Sequence, residues 1–189
     1  LDNAGVNFSD LDGVAATAGP GLIGGVMIGL MAAKSIALVH ELPFIAINHM
    51  EAHALTPRLT DNIAFPYLAL LVSGGHSQFV AVAGPNRHTI YGATIDDAIG
   101  EAFDKTAALL GLPYPGGPSI ENIARDGDPL TYQLPRPMKG RPNCDFSFSG
   151  LKTAVRKLAE KTDTNLDAPA TVANIAACFQ LAAADVVSD

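Results

Sequence analysis

Cysteine is almost missing from this chain: Cys144 and Cys178 are the only two, far apart and in no CxxC pair. That excludes a disulfide framework and a cysteine zinc cluster, and a reducing cytosol is the simplest expectation. Charge is scarce as well, at 16% of residues, and positive charge scarcer, with 12 Lys and Arg against 19 Asp and Glu and a net charge of -7. Phosphate binding is carried mainly by Lys and Arg, so the chain has no free-standing electrostatic footprint for nucleic acid, and an RNA partner would need help from elsewhere. Low charge beside 48% hydrophobic residues also excludes the disordered regime. There is no internal repeat, no low-complexity tract and no visible secretory or transit signal.

What is present is enough for one good core or two small ones, in 189 residues. The chain starts at Leu1 and stops at "AAADVVSD" within an apolar helical pattern, so it reads as a piece lacking both ends of a longer chain. From Gly13 to Ala33 no residue is charged, and Gly21, Gly25 and Gly29 fall at GxxxG spacing, which imitates a membrane span. The break at "AGPGLIGG", the strand-like alternation before Thr17 and the charge of Lys34 argue instead for a buried helix packed closely through its glycines.

"DGVAATAGPG" reads as a strand ending in a glycine turn, followed by a helix from Leu22 to His40, a strand at "PFIAIN" and a helix at "HMEAHALTPRL". This β-α-β-α order favours an α/β layer. At "FPYLALLVSGGHSQFVAVAG" two apolar runs joined by Ser-Gly-Gly predict a β-hairpin and the start of a second lobe, with "HTIYGAT" a third strand. "DDAIGEAFDKTAALLG" has helical spacing with acids in its first turn and glycine at its end. "PYPGGPS" is a stiff turn into the short helix "IENIARDG". The Pro-rich basic segment Pro129–Asn143 is loop, and helices near Leu151–Lys161 and Ala168–Val187 follow.

His49 and His53 are one helical turn apart, so their rings can project from one face and hold a metal ion, or simply satisfy backbone and solvent at a helix start. In the protease motif HExxH the glutamate follows the first histidine; here Glu51 is two residues on, about 200° around the helix, and points away. Gly74 and Gly75 at the hairpin tip either make a plain turn or let a phosphate approach backbone amides. "YPGGPS" enters a helix whose N-terminal amides suit an anion. Asp104, in a small and apolar helical face, either accepts from a ribose hydroxyl or is a solvated neighbour of Lys105.

The motifs "AGPGLIGG", "NHMEAH", "LLVSGGHSQ", "DDAIGEAFDKTAALLGLPYPGGP" and "FSFSGLKTAV", in this order, resemble the bacterial TsaD family, also called YgjD or Gcp and formerly described as O-sialoglycoprotein endopeptidase. The resemblance covers nearly the whole chain. It implies the two-lobed α/β fold of actin, Hsp70 and sugar kinases, with residues 1–65 in a first lobe carrying the metal-ligand helix, 66–189 in a second carrying the nucleotide loops, and the ligands in the cleft. The activity implied is transfer of a threonylcarbamoyl group from threonylcarbamoyl-AMP to the N6 amine of the adenosine beside the anticodon, in tRNAs reading codons that begin with A.

Carried onto this chain, the resemblance makes His49 and His53 ligands of one divalent iron or zinc ion. Leu71, Val72, Ser73, Gly74 and Gly75 would contact the phosphates of ATP or threonylcarbamoyl-AMP. Asp104 and Gly117 would hold the ribose and adenosine side, and Glu121 matches a further nucleotide contact of archaeal members. The expected partners are TsaB, TsaE and tRNA, with TsaC supplying the adenylate, in the cytoplasm and without a membrane. The glycine-rich helix would pack against TsaB, and Arg136, Lys139 and Arg141 would meet tRNA backbone.

The family's opening strand and phosphate loop fall before Leu1, and its asparagine-bearing glycine motif and third metal ligand, an aspartate, beyond Asp189. This piece alone is expected to bind metal weakly and turn over poorly. No general base is assigned. The rival readings are a metal-dependent glycoprotein endopeptidase and a non-catalytic nucleotide-binding module.

Overall fold

The computed structural model describes residues 2–161 and 164–189. The chain is mixed α/β and divides into two compact units, residues up to Tyr67 with Val82–Arg87, and Leu68–Ala81 with His88–Asp189.

In the first unit β1 (Val14–Gly19) and β2 (Phe44–Asn48) pair in parallel, Val14 against Phe44 and Thr17 against Ile47, with a register shift before Gly19. Parallel neighbours need a crossover, supplied by α1 (Ile23–Val39), which lies against β1. The end of α1 is well defined. The Leu42 amide donates to the Ala37 carbonyl and the Glu41 amide to Leu38, a Schellman closure. It sets Glu41, at φ 54°, where glycine is usual.

The expectation of a buried α1 packed through its glycines is corrected. Only Ala33 and Ala37 of the helix are buried, while Leu22, Ile23 and Leu38 are at least 77% exposed. A methyl placed on Gly24, Gly25 or Gly29 would meet nothing within 4 Å. The physical reason is that α1 is apolar all round, and a sheet of two strands covers one stripe of it. The unit continues with α2 (His49–Leu55) and α3 (Pro57–Thr60), and the Tyr67 hydroxyl donates to the Ala54 carbonyl at 2.7 Å.

β3 (Tyr67–Val72), β4 (Ser77–Gly84) and β5 (Arg87–Ala93) form one sheet in that order, β3 and β4 joined by the Ser73–His76 turn. The second unit's core is helical: α4 (Ile99–Leu109), α5 (Gly116–Ala124), α6 (Ser149–Ala159) and α7 (Pro169–Val187). Phe146, Phe148, Phe179, Ile120, Leu151 and Ile175 are essentially fully buried, and Phe103 meets Phe179 edge to face at 4.9 Å. α7 is long and apolar enough to cross a membrane by length and composition, but 56% of its most apolar window is buried in this core.

Two helix starts are corrected. α4 starts at Ile99, so the acid of its first turn is Glu101, and Asp96 and Asp97 precede the helix. α5 starts at Gly116, inside the Gly-Gly turn. Segment 129–143 is irregular as expected but tied down: Leu134 is buried, Arg136 pairs with Asp185 at 2.9 Å, and the Gly140 amide donates to the Asp189 carboxylate. Arg136 is therefore engaged within the fold.

Candidate functional site

Asn48 ends β2 and caps α2, its side chain accepting from the amides of Met50 (2.9 Å) and Glu51 (3.2 Å). The strand therefore turns directly into a helix whose first residue is His49, with His53 one turn on. Their Nε2 atoms lie 2.8 Å apart. Nδ1 of His49 is 3.1 Å from the Pro20 carbonyl, which can only accept, so the His49 proton sits on Nδ1 and its Nε2 presents a lone pair. His53 Nε2 is then the donor of the pair.

A tetrahedral ion at about 2.05 Å from each nitrogen requires an N–N separation of about 3.3 Å. Opening the rings by roughly half an ångström, with the His53 proton moved to its Nδ1, would admit one. The donors fit, but they fill two positions only: no group of three or more His, Cys, Asp or Glu with metal-holding geometry occurs among the described residues. Glu51 Oε1 accepts from the Asn86 amide at 2.6 Å.

In the second unit the Ser73 amide donates to the His76 carbonyl (2.8 Å), and the Ser73 hydroxyl accepts from the amides of Gly75 (3.3 Å) and His76 (3.0 Å). One hydroxyl thus gathers two successive amides of the turn. The turn is exposed. Leu71 is buried, so its contribution would be backbone, whereas Val72 is half exposed.

Beside this turn lies the first turn of α4, and one turn further along is Asp104. Its Oδ1 accepts from the Gly116 amide at 2.7 Å, so the carboxylate sits on the N-terminus of α5. Gly116 is obligatory there, since a methyl would fall 2.5 Å from Asp104 Cα; Gly117 beside it is open. Glu121, a turn into α5, pairs with Arg125 at 3.1 Å on the surface.

The glycine turn thus lies against Gly100, and the start of α5 against Asp104, and the four-residue step along α4 from Gly100 to Asp104 rises about 6 Å. That is the scale of a nucleoside monophosphate from phosphorus to the ribose hydroxyls. Lys105, the neighbour weighed against a ribose role for Asp104, pairs instead with Glu101 (2.7 Å) and Asp97 (3.1 Å).

Two carboxylates that sequence reasoning left aside brace this row. Burial works against the charge of Asp96. Hydrogen bonds from the hydroxyls of Ser147 (2.5 Å) and Ser149 (2.6 Å) and from the Phe148 and Ser149 amides prevail, holding its carboxyl below the usual range. Asp97 is held down by Lys152 at 2.5 Å, against burial, and by Lys105. The alternating serines of "FSFSG" were the one available signal, and nothing in the sequence paired them with an acid fifty residues away.

These features define a mixed α/β protein with a histidine pair on one unit and, on the other, an exposed glycine turn aligned with a carboxylate. The TsaD family model, described as tRNA N6-adenosine threonylcarbamoyltransferase, matches residues 1–189, and the chain belongs to that family. Proteins called tRNA N6-adenosine threonylcarbamoyltransferase from Paramagnetospirillum magneticum, Brucella anthropi and Bradyrhizobium diazoefficiens are 61%, 58% and 56% identical over all of this chain. It covers 54%, 52% and 52% of them, so it spans about half the length of the curated relatives it matches.

Proposed function

We propose that the protein is a tRNA-modifying acyltransferase that moves a threonylcarbamoyl group from threonylcarbamoyl-AMP to the N6 amine of the adenosine beside the anticodon in tRNAs reading ANN codons. The observation that carries this reading is the family match over the whole chain, with relatives of that name more than half identical to it. In the reaction the N6 nitrogen attacks the carbamoyl carbonyl carbon, a C–N bond forms, the bond from that carbon to the phosphate oxygen breaks, and AMP leaves while N6 loses a proton.

The chain's own residues have roles in this scheme. The amides of the Ser73–Gly75 turn steady the negative charge on the departing phosphate, and Asp104 and Gly117 seat the ribose and adenosine. His49 and His53 would hold an iron or zinc ion, whose charge polarises a carbonyl or orients a carboxylate without a protein nucleophile. The remaining ligands lie outside this pair. The exposed apolar surface of α1 supports contact with TsaB. TsaE, tRNA and an adenylate supplied by TsaC complete the proposed system, in the cytoplasm. With Arg136 engaged, Lys139 and Arg141 are the cations of that loop left for tRNA backbone.

The test is reconstitution. Full-length protein with its partners should form threonylcarbamoyladenosine in tRNA, detected by mass spectrometry of nucleosides, and His49→Ala with His53→Ala should lower the yield at least about a hundredfold. Undiminished modification refutes the metal role. Metal-dependent cleavage of a glycoprotein by the purified protein would restore the endopeptidase reading, which the engagement of Glu51 with Asn86 disfavours.

A further inference from the structure

We propose that Gly100 and Ser77 are positioning residues that fix the Ser73–Gly75 turn against the first turn of α4 and so set the height of its amides for an adenylate phosphate. This rests on the nucleotide reading given above.

The first amides of a helix have no partner within it, and Ala98, at the N-cap of α4, has no side-chain acceptor to offer. Ser77 meets the need from the first position of β4, directly after the glycine turn. Its hydroxyl accepts from the Ile99 amide at 2.9 Å and its carbonyl from the Thr94 amide at 2.9 Å, and the residue is 3% exposed. One buried serine, two residues past Gly75, thus ties the glycine turn to the start of the helix that carries Asp104.

Gly100 closes the same joint from the other side. A methyl on it would stand 2.7 Å from the Ser73 carbonyl oxygen, 2.9 Å from that carbonyl carbon and 3.1 Å from Gly74 Cα. All three are backbone atoms, so no rotamer relieves the clash. Either the turn or the helix must give by roughly 0.7 Å to restore ordinary contact at 3.4 Å. Glycine is disfavoured against alanine within a helix, so helix formation does not account for it; the close approach of the turn does. A sub-ångström displacement of phosphate-binding amides relative to Asp104 is enough to misplace an adenylate between its two anchors.

The test uses full-length protein in the reconstituted reaction. Gly100→Ala should raise KM for threonylcarbamoyl-AMP about tenfold or more, with kcat and the KM for tRNA within about twofold. A general folding defect would instead lower kcat through the active fraction and leave KM unchanged. Ser77→Ala, which adds no atoms, should raise the same KM about threefold and serves where Gly100→Ala fails to fold. Gly150→Ala is the matched control: its methyl would meet only Pro137, at 3.6 Å, and the variant should behave as wild type.

Amide hydrogen exchange at residues 73–76, measured without nucleotide, should quicken about tenfold in Gly100→Ala and less in Ser77→Ala. Unchanged exchange in both variants overturns the proposal, as does an unchanged KM in both. A wild-type protein that binds neither ATP nor the adenylate refutes the nucleotide reading instead, and the exchange data then decide the positioning claim alone.

Discussion

The two units bury different things. Among the described residues, the buried apolar side chains of the first unit are Ala33, Ala37, Ala54 and Val82, whereas the second packs Phe146, Phe148, Phe179, Ile120 and Leu151 into one cluster. At roughly 25 cal/mol per Å² of apolar area removed from water, small side chains return little and phenylalanines a great deal. The second unit therefore supplies most of the hydrophobic stabilisation of this chain. The first holds a helix with more apolar surface than its own strands can cover.

The contrast can be broken most sharply by truncation. Phe179→Ala should cost about 3–5 kcal/mol, since it empties a fully buried site, whereas Ile28→Ala should stay within about 0.5 kcal/mol. Urea melts of the two variants measure this directly. A large loss for Ile28→Ala would mean that α1 is covered in solution and that the difference between the units is illusory.

Acid should find the second unit through Asp96 and Asp97. Their folded pKa values lie below the ordinary 3.8, so the stability they contribute is fully present above about pH 5 and is lost as pH falls through 3.8 towards the folded values. Asp96→Asn should lower the denaturation midpoint more at pH 7 than at pH 3. An equal loss at both pH values would remove the charge from the explanation.

The smallest effect belongs to the first unit. Glu41→Gly relieves a left-handed backbone at the end of α1 and should raise stability by about 0.5–1 kcal/mol, readable as a rise of a few degrees in Tm. A fall would show that the Glu41 side chain supports the Schellman closure by contacts of its own.

Periodicity and punctuation made the elements legible: α1, α6 and α7 lie within a residue or two of their expected bounds, and the Ser-Gly-Gly turn joins β3 to β4. Helical spacing likewise brings the rings of His49 and His53 together. What stayed hidden depends on distant partners. The burial of α1 turns on what covers it, not on its own glycines. Arg136 meets Asp185 across 49 residues and Asp96 meets Ser147 across 51, pairings that no local pattern encodes. Gly100 looks like any poor helix residue until the Ser73 carbonyl is seen beside it.

The most direct measurement is an anomalous-diffraction map of full-length protein loaded with iron or zinc. A peak is expected about 2.0–2.1 Å from Nε2 of both His49 and His53, absent from the doubly substituted protein. A metal peak remote from both rings, or a fully modifying enzyme with no metal between them, would contradict it.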